Sequence, residues 1–181
     1  MDKMKSIKTM LQLDFKTVKI FKNRGLFKEY ISIDKTQSDY MIVKNVGIEF
    51  ARLGKAVEAP PVLHFKSLEY TKIYGALEGT KYYRKCPDLL IDEKFYEVEN
   101  YLPPFNKEKI NGMFTKGLKQ SSNIIINNTK GASDRYIKKI IYQRIRLGQD
   151  VNEVWLYEKG KIRLLYKKQQ GALLPLRCAV P

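Results

Sequence analysis

Residues 86–100 read CPDLLIDEKFYEVEN, and the fold turns on that stretch. Asp88–Asp92 and Lys94–Tyr101 are two short runs rich in apolar residues, set around Asp92-Glu93, the pattern of a β-hairpin. A two-residue loop pairs Leu90 with Phe95 and Asp88 with Glu97; a longer loop shifts that register by one residue. Side chains alternate along a strand, so Phe95, Glu97, Glu99 and Tyr101 share one face. Pro103-Pro104 ends the hairpin.

Downstream, Ile110, Met113, Phe114 and Leu118 predict a helix over 106–120. The wholly apolar run of Asn123–Asn127, NIIIN, predicts a buried central strand. Ile137, Ile140, Ile141 and Ile145 predict a further helix over 134–147, ended by Gly148. Residues 151–157 and 162–167 then form a second hairpin around Glu158-Lys159-Gly160. Upstream, Ser38 or Asp39 can cap a helix to Leu53, with Ile42, Val46, Phe50 and Leu53 at helical spacing and Gly54 as its stop. Pro60-Pro61 breaks the chain before a mixed, aromatic-rich stretch over 62–84. Helix, hairpin, helix, strand, helix, hairpin is an α/β or α+β order: a mixed central sheet flanked by helices. The domain is assigned to 38–168, residues 1–37 to a basic N-terminal extension, and 169–181 to a C-terminal tail.

The charge narrows the class of partner. Thirty-four Lys and Arg face nineteen Asp and Glu, a net +15 over 181 residues. Such an excess attracts polyanions by counterion release and steering. No amphipathic basic helix with a broad apolar face stands out, so nucleic acid is expected rather than a membrane surface. No apolar run reaches the ~20 residues of a membrane span, and the lysine-studded start lacks a signal peptide's apolar centre, so a cytoplasmic protein is expected. Cys86 and Cys178 are too few for a disulfide framework and form no zinc-type pair.

The acids are the chemical signal. Asp88 and Glu97, opposed on paired strands, repel each other. A cation between them relieves the repulsion; so does an open, solvated face. Glu49 falls on the apolar stripe of the first helix, between Val46 and Leu53, where a carboxylate needs either a metal or a partner such as Arg52.

A helix with an inward Glu, Pro-Asp at a strand start, an acid nine residues on in the paired strand, then helix and central strand: this order resembles the PD-(D/E)XK nuclease core. GIEFARLGKAVEAP (47–60), CPDLLIDEKFYEVEN (86–100) and GLKQSSNIIIN (117–127) carry the likeness. Through VNEVWLYEKGKIRLLYK (151–167) the chain is also similar to C-terminal nuclease domains of contact-dependent inhibition toxins. Small proteins of bacterial conjugative elements show the same pattern. The resemblance covers roughly residues 38–168 and implies a restriction-endonuclease-like core. It implies that Asp88 and Glu97 hold Mg²⁺ or Mn²⁺, with Glu49 as accessory ligand or as a base acting through water. The family's lysine falls at position 99, where this chain has Glu99. A glutamate supplies no positive charge, though it can hold a second cation. Lys107, Lys109, Lys116 and Lys119 of the next helix are alternative sources, Lys116 and Lys119 the better ones if that helix crosses the acidic face. Gln120 resembles a substrate-contacting glutamine of the superfamily. The toxin resemblance implies a neutralising, immunity-type partner.

Lys130, Arg135, Arg144 and Arg146 could grip phosphates, and Tyr70, Tyr74, Tyr82 and Tyr83 could stack on bases or fill a core. A single histidine, His64, weighs against ribonuclease mechanisms that use a second general acid or base. The expected function is metal-dependent hydrolysis of phosphodiester bonds in DNA or RNA. The alternative is a non-catalytic nucleic-acid-binding module, which Glu99 favours.

Overall fold

The computed structural model describes residues 14–100, 107–129 and 131–169. In chain order these form β1 (Phe15–Ile20), β2 (Leu26–Tyr30), α1 (Tyr40–Arg52), β3 (Ala56–Ala59), α2 (Leu68–Tyr74) and β4 (Leu89–Ile91). There follow β5 (Lys94–Glu99), α3 (Lys107–Gly117), β6 (Asn123–Asn127), α4 (Asp134–Arg146), β7 (Glu153–Glu158) and β8 (Lys161–Lys167). The eight strands make one sheet whose spatial order follows chain order. It is mixed: β2 runs parallel to β3, and β5, β6 and β7 run parallel to one another. The other neighbours are antiparallel. Each parallel step needs a crossover, and α1, α3 and α4 supply them.

The helices divide between the two faces. Val43, Val46 and Phe50 of α1 pack on Phe27, Val57, Leu89, Tyr96, Val98 and Ile125. The neighbouring positions point the other way: Ile124 and Ile126 lie under α3 and α4, and Phe95 meets Tyr70 and Tyr74 of α2. All five residues of β6 are therefore buried. Its centre is apolar, each of the three fully buried isoleucines contributing roughly 1.5–3 kcal/mol, while Asn123 and Asn127 at its ends are buried with their amides donating to Phe95 O and Asn100 Oδ1.

The Asp92-Glu93 loop has two residues, and both have positive φ (43° and 67°), as a type I′ turn requires. Asp92 is held there by its ion pair with Lys55 (2.7 Å) and by accepting a hydrogen bond from Ala56 N (3.0 Å). The loop sets Leu90 opposite Phe95, the register read from sequence.

One sequence expectation needs correction, and two elements were not read from the sequence. Residues 1–37 were set apart as an extension, yet 15–30 supply two strands of the main sheet. Phe27 is wholly buried beneath α1. AVEA (56–59) is a strand joining β2 to β4, too short to carry a period of its own. Within 62–84 lies α2, capped by Ser67, whose hydroxyl accepts from Tyr70 N. The expected tail falls beyond the described residues except for Gln169. β1 and β8 form the two edges of the sheet. Lys16 and Lys19 are exposed on the first, and Lys161, Arg163 and Lys167 on the second.

Candidate active site

The polar end of β5 and the residue before β4 bring three acids together. Asp88 Oδ2 accepts a hydrogen bond from Val98 N at 2.8 Å, which fastens it across the hairpin beside Glu97. Glu97 and Glu99 follow Phe95 on the same strand face. Burial pushes the Glu97 carboxyl well up from its usual range, and the charges of Asp88, Glu99 and Asp39 push it further. Burial also raises Asp88; the Val98 N–H partly offsets this, and Asp39 adds to it. Glu99 is pushed up to about 7, by burial first, then by Asp88 and Asp39, against the lowering charge of Lys116. Glu97 Oε2 is buried with no hydrogen-bond partner.

Glu153 shows what this chain does with a buried acid it needs only for structure. It is 6 % exposed. Burial alone would raise its pKa. Hydrogen bonds from Tyr96 Oη (2.7 Å), Trp155 Nε1 (3.0 Å) and Lys94 Nζ (3.0 Å) outweigh burial and hold it at about 2. The cluster of Asp88, Glu97 and Glu99 has no such set of donors.

Glu97 and Glu99 open into a cleft of about 480 Å³, lined also by Asp39, Lys85, Lys116, Lys119 and Gln120, while Asp88 lines a smaller cavity of about 90 Å³ that shares Asp39. The end of α3 and the turn that follows it bring Lys116, Lys119 and Gln120 to the larger cleft. It can approach because residue 117 is glycine: a Cβ at Gly117 would lie 3.1 Å from Glu99 Cγ. Gln120 Oε1 is likewise buried without a partner. Lys116, Lys119 and Gln120 thus stand where the sequence reading wanted them.

Glu49 does not. It pairs with Arg52 at 3.2 Å, and its charge acts on Tyr157, whose hydroxyl is raised first by burial and then by Glu49. Asp39 takes the place expected of it. It is the N-cap residue of α1 but makes no side-chain capping bond, and it lines the cleft instead. Ten residues of helix separate the two, ~15 Å. Nothing in the sequence separates an aspartate that caps from one that does not. Lys130 lies outside the described residues. Arg135 is exposed in the first turn of α4, away from the cleft. Arg144 bonds Asn111 O (3.1 Å) and Asn111 Oδ1, tying α4 to α3, and Arg146 bonds Tyr142 O. Tyr70, Tyr74 and Tyr82 are core, while Tyr83 is exposed.

Comparison with protein-family models, curated proteins and solved structures finds no match to this chain.

The residues themselves decide which ligand the cleft suits. Carboxylate oxygens are the donors a hard divalent cation takes, and a buried, unpartnered Glu97 Oε2 is a donor without an occupant from the chain. Among the described residues, no three Asp, Glu, His or Cys side chains stand close enough to make a ready-made metal cage. The donor atoms are of the type a hard cation takes, but the described residues do not form a metal-holding group. No helix of the described residues is long and apolar enough to cross a membrane.

Proposed function

We propose that this chain hydrolyses phosphodiester bonds of nucleic acid with a divalent cation, Mg²⁺ or Mn²⁺, held by Asp88, Glu97 and Glu99. The observation that carries the reading is Glu97 Oε2, buried and unpartnered between two other acids. Natural proteins rarely leave a buried carboxylate oxygen unsatisfied, and functional sites are where they do. Around the acids stand cations that fit phosphate. Lys116, whose charge acts on Glu99, supplies from α3 the positive charge that position 99 lacks. Lys85 and Lys119 border the same cleft and would hold the backbone on either side. Gln120 offers an amide whose oxygen has no protein partner. When bound, the cation would supply Lewis acidity and neutralise charge developing on the phosphate. Asp39 adds a fourth carboxylate at the rim and replaces Glu49 in this reading.

The test is a cleavage assay on duplex DNA, single-stranded DNA and tRNA with Mg²⁺, Mn²⁺ or EDTA. Cleavage with a divalent ion and none with EDTA is expected. Glu97→Gln and Asp88→Asn should each reduce cleavage by at least ~100-fold while remaining folded, because either removes a charge that holds the cation. The second reading is the binding module without catalysis, and Glu99 in the lysine position favours it. Tight binding with no cleavage of any substrate under any metal condition would select it.

A further inference from the structure

Beside the acid cleft lies a second group of residues that the hydrolytic reading does not use. Phe65 and Tyr83 stand edge to face, ring centroids 6.4 Å apart at 76°. The Arg84 guanidinium lies over both rings, 4.5 Å from Phe65 and 5.6 Å from Tyr83. Lys66 sits 5.8 Å over Phe65, Lys81 5.1 Å over Tyr82, and the His64 ring 4.8 Å from Phe65. Tyr83 is 38 % exposed, and His64, Lys66, Lys81 and Arg84 are exposed. Arg84 holds φ +68°, a left-handed backbone that a side chain rarely adopts.

The charge here is not neutralised within the protein. Some cations of the chain are paired with acids: Lys28 with Glu58, Lys55 with Asp92, Lys94 with Glu153, Arg163 with Asp134. Lys66, Lys81, Arg84 and Lys85 form no ion pair among the described residues. The segments that carry the patch are firmly held. Tyr70 Oη donates to Lys85 O (3.0 Å), Tyr74 Oη to Pro61 O (2.9 Å), and Cys86 Sγ to Leu63 O (3.4 Å). Two residues past Lys85 come Pro87 and then Asp88, and Lys85 itself lines the acid cleft. The patch and the acids are thus joined by one short, anchored run of chain.

We infer that Phe65, Tyr83 and Arg84, with Lys66, Lys81 and Lys85, form a platform for single-stranded nucleic acid that leads the strand into the acid cleft. The exposed ring of Tyr83, the partly covered ring of Phe65 and an ordered guanidinium offer stacking surface to unpaired bases of any sequence, while the lysines follow the phosphates. Bases inside a duplex hide those faces, so the platform prefers unpaired strands. A guanidinium already held over two rings loses little freedom on binding. The inference rests on the proposed hydrolysis only for the direction of the strand; binding to the platform does not require it.

The test is fluorescence anisotropy in EDTA, with a labelled thymidine oligomer, a uridine oligomer, a blunt duplex of equal length, and polyglutamate as competitor. The wild-type chain is expected to bind either single strand at least ~10-fold more tightly than the duplex. Tyr83→Ser and Arg84→Lys should each weaken single-strand binding roughly tenfold, the loss expected for one stacked base, and duplex binding less than twofold. Arg84→Lys keeps the charge, and Tyr83 is exposed; unchanged thermal melts check that both variants fold. A wild type without single-strand preference, variants that bind as wild type, or polyglutamate competing as well as the oligomers would each overturn the platform. The two proposals fail separately. Strong, platform-dependent binding without cleavage under Mg²⁺ or Mn²⁺ removes the hydrolase and leaves the platform. Cleavage and single-strand binding that Tyr83→Ser and Arg84→Lys both leave unchanged remove the platform and leave the hydrolase.

Discussion

Two buried glutamates of this chain respond oppositely to pH, and the difference lies in their donors. Glu97, in the unpartnered cluster, titrates above the unfolded carboxyl range. The folded state therefore binds its proton more tightly than the unfolded state does. The cost of ionising it is absent below the unfolded pKa, grows as pH rises toward the folded pKa, and stays above it. Glu99 behaves likewise; a rise from 4.5 to about 7 amounts to on the order of 3 kcal/mol. Glu97→Gln should accordingly raise the urea midpoint of the metal-free protein at pH 8 and leave it nearly unchanged at pH 5. Equal destabilisation at both would mean that the carboxylate is well partnered. Mg²⁺ should raise the wild-type melting temperature at pH 8, have little effect at pH 5, and do little for Glu97→Gln. Glu153 carries the reverse sign. Its folded pKa, about 2, lies below the unfolded value, so its contribution is present above about 4.5 and is lost as pH falls toward 2. Glu153→Gln should cost on the order of 2–3 kcal/mol at pH 7 and progressively less below pH 4, read by urea unfolding.

At the level of elements, the first helix and the strand before it are pressed together at Gly47. A Cβ there would lie 2.5 Å from Phe27 Cε2. Gly47→Ala should destabilise by about 1–3 kcal/mol through overpacking, although alanine favours helix by about 1 kcal/mol. A gain in denaturant midpoint would mean that Phe27 moves aside freely. Removing residues 1–37 should leave a chain that fails to unfold cooperatively, because it strips Phe27 from the core and two strands from the sheet. The sequence hid this. Residues 15–30 alternate poorly, since β1 is an edge strand with only Phe15 and Val18 partly covered. The second half was legible because burial there is complete: a five-residue buried strand and two helices with clean stripes allow one arrangement. The hairpin register was legible because a two-residue loop leaves no slack, and with it the meeting of Asp88 with Glu97. Glu49 was misread because a helical stripe reports which side faces the sheet and not which strands lie beneath. The far end of α1 sits over β7, and only its N-cap reaches the acids.

For the whole molecule, the excess of cations sets how it meets a polyanion. Affinity for nucleic acid should fall by orders of magnitude between roughly 50 and 200 mM salt, and a flat salt titration would remove the counterion argument. The same excess also guards the ends of the sheet. Among the described residues, β1 and β8 each present an outer row of backbone groups without a neighbouring strand, together with Ile20 (68 % exposed) and Leu164 (42 % exposed). Such edges invite pairing between copies, and lysine is a common deterrent. Here Lys16, Lys19, Lys161 and Lys167 flank them. The deterrent is Coulombic, so a bound polyanion, such as the proposed nucleic acid, would switch it off. Nucleic acid added until positive and negative charge are equal should make the solution scatter light, and an excess of either component should clear it. Under the proposed function, the colloidal stability of the protein would be set by its stoichiometry with the strand it binds.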